Sequence, residues 1–107
     1  MITPNTNSIE NILAVICDII YDILPESFDE HIMNNGNVRW YVGNVTIQVK
    51  RLTDNDASLK LSIYYPVYNK NVSVPEWHKK KWIFTNVEKV EENKDYIEKE
   101  IKQVLAL

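Results

Sequence analysis

The stretch VRWYVGNVTIQV, residues Val38 to Val49, carries the clearest structural signal in this chain of 107 residues. Gly43-Asn44 stands between two runs of alternating side chains, and glycine at the first central position suits a two-residue type II′ turn. The pairs that this turn sets are Val42 with Val45, Trp40 with Ile47, and Val38 with Val49. All six apolar side chains then share one face, which predicts a β-hairpin with Trp40 and Ile47 buried.

Two further strands are predicted after this hairpin. One follows a polar turn at residues 53–57, with Leu59, Leu61, Ile63 and Tyr65 facing inward and Lys60, Ser62 and Tyr64 facing outward. Pro66 is expected to weaken this strand or to mark an edge of the sheet, because proline has no backbone N–H for the ladder. The last strand is predicted over residues 80–85, with Trp82 and Phe84 on the core side.

Amphipathic helices are predicted on both sides of the strands. The first runs from about Ser8 to Leu24, with Asn7 and Glu10 as a capping box and Pro25 as its stop. The second runs from about Val87 to Ala106, with Thr85 and Glu88 as its capping box. Their apolar stripes consist of Ile9, Ile12, Leu13, Ile16, Ile20, Ile23 and Leu24, and of Val90, Ile97, Ile101, Val104 and Leu105.

Two segments leave alternatives open. Residues 26–37 read as a short helix, capped by Ser27 and Glu30 and ending at Asn35-Gly36, or as a strand over Glu30 to Met33 before an Asn35-Gly36 hairpin turn. We favour the helix. Residues 67–76 read as a loop or as an irregular hairpin about Asn69 to Asn71.

The element order predicts a single α+β domain over residues 1–107, with the polar residues 1–7 expected to be disordered. Consecutive strands on short turns indicate an antiparallel sheet of three to four strands. The helices before and after the strands should both pack on its apolar face, giving a two-layer sandwich of order α-β-β-β-β-α. The other sheet face is then open to solvent or to a partner.

Composition excludes several classes of protein. The net charge of −3 argues against a dedicated nucleic-acid binder, whose affinity usually rests on lysine and arginine. Cys17 is the only cysteine, so no intramolecular disulfide can form, and its place beside the first apolar stripe predicts a small buried side chain. No positive charge precedes the apolar run of residues 12–24, and Asp18 and Asp22 interrupt it. We therefore expect no signal peptide, no membrane span and a cytoplasmic location.

The sequence contains no pattern typical of catalysis or metal binding. No glycine-rich turn presents a serine, and His31, His78 and Cys17 are too far apart in sequence to indicate zinc. Residues Asp54 to Ser58 resemble the opening of a calcium loop, but Leu59 stands where the invariant glycine belongs. We predict no catalytic residue, no metal site and no cofactor, and hence a protein that is not an enzyme.

The stretch VPEWHKKKWIF, residues Val74 to Phe84, places three lysines between two tryptophans. Strand alternation puts His78, Lys80, Trp82 and Phe84 on one face, and Trp77, Lys79, Lys81 and Ile83 on the other. Lysines along a sheet edge protect it from pairing with other strands, which is sufficient reason for the three lysines. That structural role does not account for Trp77, which has no close apolar neighbour on its own face.

These residues and the open sheet face predict a partner-binding surface. Its members are Trp77, Lys79, Lys80, Lys81, Tyr41, Tyr64, Arg39 and Lys60. Aromatic and arginine side chains dominate many protein interfaces, and the lysines suit an acidic partner. We therefore expect a small protein-binding module of accessory, inhibitor, immunity-type or chaperone-like character. A nucleic-acid-binding module using the same surface is the alternative, and a homodimer through a sheet edge is a further one.

Overall fold

The protein is described by a computed structural model, which covers residues 8–52 and 58–106. The expected disorder of residues 1–7, the cap at Asn7, and the polar turn at 53–57 with its calcium-like acids all lie outside the described residues.

The chain forms an antiparallel five-stranded sheet with helices before and after it. Helix α1 (Ile9–Ile23) is followed by β1 (Asp29–Ile32), β2 (Val38–Val42), β3 (Val45–Arg51), β4 (Leu59–Val67) and β5 (Glu76–Phe84), and then by α2 (Val87–Glu92) and α3 (Lys94–Leu105). The strands lie side by side in chain order, from β1 at one edge to β5 at the other. This confirms an antiparallel α+β fold and corrects the number of strands from three or four to five.

The central hairpin of β2 and β3 has the predicted register. Trp40 pairs with Ile47, and both side chains are fully buried. Gly43 has a φ of 58°, whereas Asn44 does not have a positive φ. A positive φ at the first central position alone is the pattern of a type II′ turn, so glycine is required at this position.

Residues 29–37 form a hairpin with β2, so the short helix that we favoured for this segment is wrong. Glu30 pairs with Trp40, and the Met33 N–H donates to the Asn37 carbonyl at 2.8 Å across the turn. The Glu30 carboxylate accepts hydrogen bonds from the Trp40 indole N–H, at 2.8 Å, and from the Tyr21 hydroxyl. These contacts require β1 to lie extended beside β2, and they outweigh a weak local preference for helix.

The long hairpin of β4 and β5 resolves the second open segment. β5 begins at Glu76, which pairs with Val67, and residues 68–75 form the loop between the two strands. The last pair between β3 and β4 is Thr46 with Tyr64. Pro66 therefore lies beyond the first residues of β3, where β4 pairs with β5 alone. Its missing N–H is tolerated there.

The helix ends differ in detail from the predicted ones. α1 is capped by the Ser8 side chain, which accepts from the Asn11 N–H at 3.2 Å. The single final helix is replaced by α2 and α3, which meet at Asn93, where the side-chain amide donates to the Lys89 carbonyl at 2.7 Å. The cap of α2 is Asn86 instead of Thr85, and it accepts from the Lys89 N–H at 2.8 Å. None of the described helices has the length and apolar character needed to cross a bilayer.

The core joins the helices to one face of the sheet. Its buried apolar residues are Ile12, Ile16, Ile19 and Ile20 of α1, Val90, Ile97, Ile101 and Val104 of α2 and α3, and Val38, Trp40, Ile47, Val49, Leu59, Leu61, Ile63 and Phe84 of the strands. The strand residues in this cluster all belong to one face by the strand registers. Within the described residues, the opposite face carries no helix.

Cys17 lies half-buried in α1 against this core. Burial, and then the nearby negative charges of Glu30 and Asp18, raise its pKa from 9.0 to about 11. Both influences disfavour the thiolate, which is the reactive form of cysteine.

We therefore expect thiol reagents to label native Cys17 slowly. At pH 8, the raised pKa reduces the thiolate fraction roughly 100-fold relative to an ordinary cysteine, because each pKa unit is a factor of ten. The test is the labelling rate with an aromatic disulfide reagent, compared between native protein and protein unfolded in urea at the same pH. Because Cys17 is the only cysteine, all the signal reports on it. Equal rates in the two states would contradict the raised pKa of Cys17.

Candidate binding surface on the open sheet face

The face of the sheet opposite the helices, called the open face below, receives alternate side chains from all five strands. The strand registers place there Asp29, His31, Arg39, Tyr41, Thr46, Gln48, Lys50, Lys60, Ser62, Tyr64, Pro66, Trp77, Lys79, Lys81 and Ile83. Five strands at a spacing of about 4.8 Å give this face a width of roughly 19 Å. It is wide enough to meet the surface of another macromolecule.

The open face is strongly basic. Among its described residues, Arg39, Lys50, Lys60, Lys79 and Lys81 carry positive charge, and Asp29 is the single acid. The helices have the opposite balance, with nine acids (Glu10, Asp18, Asp22, Glu88, Glu91, Glu92, Asp95, Glu98 and Glu100) against Lys89, Lys94, Lys99 and Lys102. The protein with a net charge of −3 thus has a basic sheet face and acidic helices.

Lys79 and Tyr64 form a defined contact on the last two strands of the open face. They are paired across β4 and β5, and the lysine Nζ lies 5.2 Å from the centroid of the tyrosine ring, within the range of a cation–π interaction. Burial alone would raise the pKa of Tyr64, but the hydrogen bond from Lys79 and the charges of Lys79 and Lys60 together lower it. A lowered pKa of a phenol is the expected effect of a positive surrounding potential.

The aromatic residues of the open face differ in exposure. Tyr41 is half-buried, and its ring lies 5.7 Å from the His31 ring in an edge-to-face arrangement. Trp77 lies near the start of β5, where β4 pairs with β5 alone, and 61% of it is exposed. Tyr64 is half-buried beneath Lys79. Trp77 is therefore the aromatic residue of this face with the most free surface.

Seven of the eight residues predicted for the partner-binding surface lie on the open face, and Lys80 does not. Lys80 lies on the helix side of β5, opposite Ile63, and its Nζ donates a hydrogen bond to the Glu100 carboxylate of α3. This hydrogen bond raises the pKa of Lys80 and lowers the pKa of Glu100. Lys80 connects β5 to α3, and we remove it from the candidate surface.

Four residues of this face that bear on binding are absent from the predicted surface, namely Asp29, His31, Lys50 and Ile83. Asp29 and His31 fall within the predicted short helix, whereas the alternative strand over Glu30 to Met33 includes His31 but not Asp29. Ile83 was assigned to the correct side of β5, but its 56% exposure could not be anticipated because the position of the sheet edge was unknown.

Other parts of the described chain offer little chemistry. Across residues 8–52 and 58–106, no three His, Cys, Asp or Glu side chains lie together in a group suited to a metal ion. A cleft of about 320 Å³ between the Gly43-Asn44 turn and the end of α3 is lined mainly by apolar and tyrosine side chains, including Val42, Tyr65 and Leu105.

Comparison with protein-family models, with curated proteins and with solved structures found no match. The basis for a function is therefore the charge and exposure of the open face.

Proposed function

We propose that this protein is a small non-enzymatic binding module whose open face binds an acidic surface of another protein. The observation that carries the proposal is that, over residues 8–52 and 58–106, this sheet face has five cationic side chains, one acid and no helix over it. Complementary charge of this kind increases the rate of encounter and selects among partners. Such a module would act as an accessory, inhibitory, immunity-type or chaperone-like protein, since all of these work by occupying a partner's surface.

A single-stranded nucleic acid is the second candidate partner, because lysines beside aromatic rings are also typical of surfaces that follow a phosphate backbone. Base stacking requires ring faces that are free. The Tyr64 ring already has the Lys79 ammonium over it, and the Tyr41 ring is in contact with His31. Trp77 alone among the described open-face aromatics is mostly exposed. This shortage of free rings favours a protein partner.

The proposal is tested with two dye-labelled anionic probes, a 20-residue oligo-glutamate and a 20-nucleotide oligo-thymidylate. Each is titrated with wild-type protein and with an open-face variant carrying Lys60→Gln, Lys79→Gln and Lys81→Gln. We expect the open-face variant to bind oligo-glutamate roughly tenfold more weakly, since each exposed charge contact contributes about 0.2–1 kcal/mol. The matched control carries Lys94→Gln, Lys99→Gln and Lys102→Gln in α3, which removes the same charge from the helix side and should leave the affinity unchanged.

Equal losses in the open-face and α3 variants would contradict the proposal, because binding would then follow net charge and not position. A salt series separates the two candidate partners. If oligo-thymidylate binds more tightly than oligo-glutamate, and its affinity falls steeply with salt, the partner is a nucleic acid and not a protein.

A further inference from the structure

β5 is an edge strand with one unused side. It pairs only with β4, and within the described residues no other segment makes a backbone hydrogen bond to it. About half of the backbone N–H and C=O groups in such a strand point away from its neighbour and can accept another strand. The edge runs over Glu76–Phe84, which is long enough for a peptide of seven to nine residues.

The side chains along this edge form a regular pattern on the open face. Trp77, Lys79, Lys81 and Ile83 follow one another at alternate positions, so two cations lie between two apolar residues. Trp77 is 61% exposed and Ile83 is 56% exposed, and neither has a strand beyond it. A sixth strand would place one of its own side chains beside each of these four.

A second copy of β5 is a poor occupant of this edge. Antiparallel pairing centred on Lys80 would put Lys79 opposite Lys81 of the copy, and Lys80 opposite its own counterpart. Shifting the centre to Lys79 or to Lys81 again puts a lysine opposite a lysine. Like charges directly opposite one another in a sheet are destabilising. The antiparallel registers that pair most of β5 with its copy therefore place lysine opposite lysine, whereas a strand that carries acids meets no such repulsion.

We infer that β5 binds an extended acidic segment of the partner as a sixth strand. The segment has the pattern apolar-x-acid-x-acid-x-apolar, in which the acids face Lys79 and Lys81 and the apolar residues face Trp77 and Ile83. The pattern is the same in both directions, so it fits a parallel or an antiparallel strand. In this mode of recognition the backbone hydrogen bonds supply affinity and the alternate side chains supply specificity. The inference rests on the proposed function, because Lys79 and Lys81 belong to the open face.

The test uses the dye-labelled peptide Thr-Val-Thr-Glu-Thr-Glu-Thr-Val-Thr with blocked ends. A scrambled peptide, Thr-Glu-Val-Thr-Thr-Thr-Val-Glu-Thr, keeps the composition and loses the pattern. Two further peptides are N-methylated, one at the Val and Glu positions and the other at the three internal Thr positions. Because successive amides of a strand point to opposite sides, only one of these two modifications blocks the hydrogen bonds to β5. We expect at least tenfold weaker binding for the scrambled peptide and for one N-methylated peptide, with the other retaining its affinity.

Variants of the protein supply an independent readout. Lys79→Glu combined with Lys81→Glu should lose the acidic peptide and bind a version with Lys in place of Glu. This exchange of preference shows that the variant is folded. Hydrogen exchange should show new protection of β5 amides when the acidic peptide is bound to the wild-type protein.

The outcomes distinguish this inference from the proposed function. If the scrambled and both N-methylated peptides bind as well as the parent, the open face binds acids but β5 adds no strand, and the inference is overturned. If neither the peptides nor oligo-glutamate bind, the proposed function fails as well. Self-association that protects β5 amides without peptide would show that a second copy occupies the edge, which also overturns the inference.

Discussion

Replacing Trp40 by alanine is expected to lower the free energy of unfolding by about 3–5 kcal/mol, the usual cost of truncating a buried tryptophan. Trp40 is the largest fully buried side chain, it lies 5.8 Å from the Tyr21 ring, and it donates to Glu30 at 2.8 Å. Small domains are stable by about 5–15 kcal/mol, so this loss is a large part of the total. Urea unfolding followed by far-ultraviolet circular dichroism measures it.

Two further variants separate the causes of this loss. Trp77→Ala removes the same side chain from an exposed position and should change the stability by no more than about 0.5 kcal/mol. Trp40→Phe keeps an aromatic ring but removes the donor to Glu30, and should cost about 1–3 kcal/mol. If Trp40→Ala lowers the free energy of unfolding no more than Trp77→Ala does, the Trp40 side chain does not lie in the core.

Replacing Ile97 by alanine is expected to lower the free energy of unfolding by about 2–5 kcal/mol, since this is the usual range for a fully buried isoleucine. Ile97 is 1% exposed and belongs to the core cluster with Ile101 and Val104 of α3. Its neighbour Tyr96 is 53% exposed, and the centroid of its ring lies 6.3 Å from that of the Trp82 ring.

Tyr96→Ala is therefore the matched control, and it should cost clearly less than Ile97→Ala in the same urea titration. One residue along a helix turns a side chain by about 100°, so the two substitutions probe different faces of α3. The reverse order of costs would mean that α3 packs in a different rotation, with Tyr96 toward the sheet.

The central hairpin could be predicted because its signals are local and independent. Gly43-Asn44 sets the turn, the alternation of β2 and β3 sets the buried face, and both give the pairing of Trp40 with Ile47. β1 has a turn signal at Asn35-Gly36 but no alternation to support it, since all four of its residues are exposed. Its position depends on Glu30 meeting Tyr21 and Trp40, which are nine and ten residues away in sequence.

The candidate surface could be predicted only as far as strand alternation reaches. Alternation places Trp77, Lys79 and Lys81 on one side of β5 and Lys80 on the other, as the structure has them. It does not show that Lys80 meets Glu100, because that contact depends on how α3 crosses the sheet. The separation of positive charge on the open face from negative charge on the helices could not be predicted either, because acids and bases are mixed along the sequence.

The order of the strands in the sheet has a consequence for how the chain is made. Because neighbours in the sheet are also neighbours in sequence, each hairpin can close during synthesis without waiting for a distant segment. Helix α3 cannot cover the core at that stage, because its buried residues Ile97, Ile101 and Val104 follow β5 in the chain. At about 5–20 residues per second, the ribosome needs roughly one to four seconds to proceed from Phe84 to Leu105. Until α2 and α3 have been added, only α1 can cover the apolar side of the sheet, so an unfinished chain leaves much of its core face exposed.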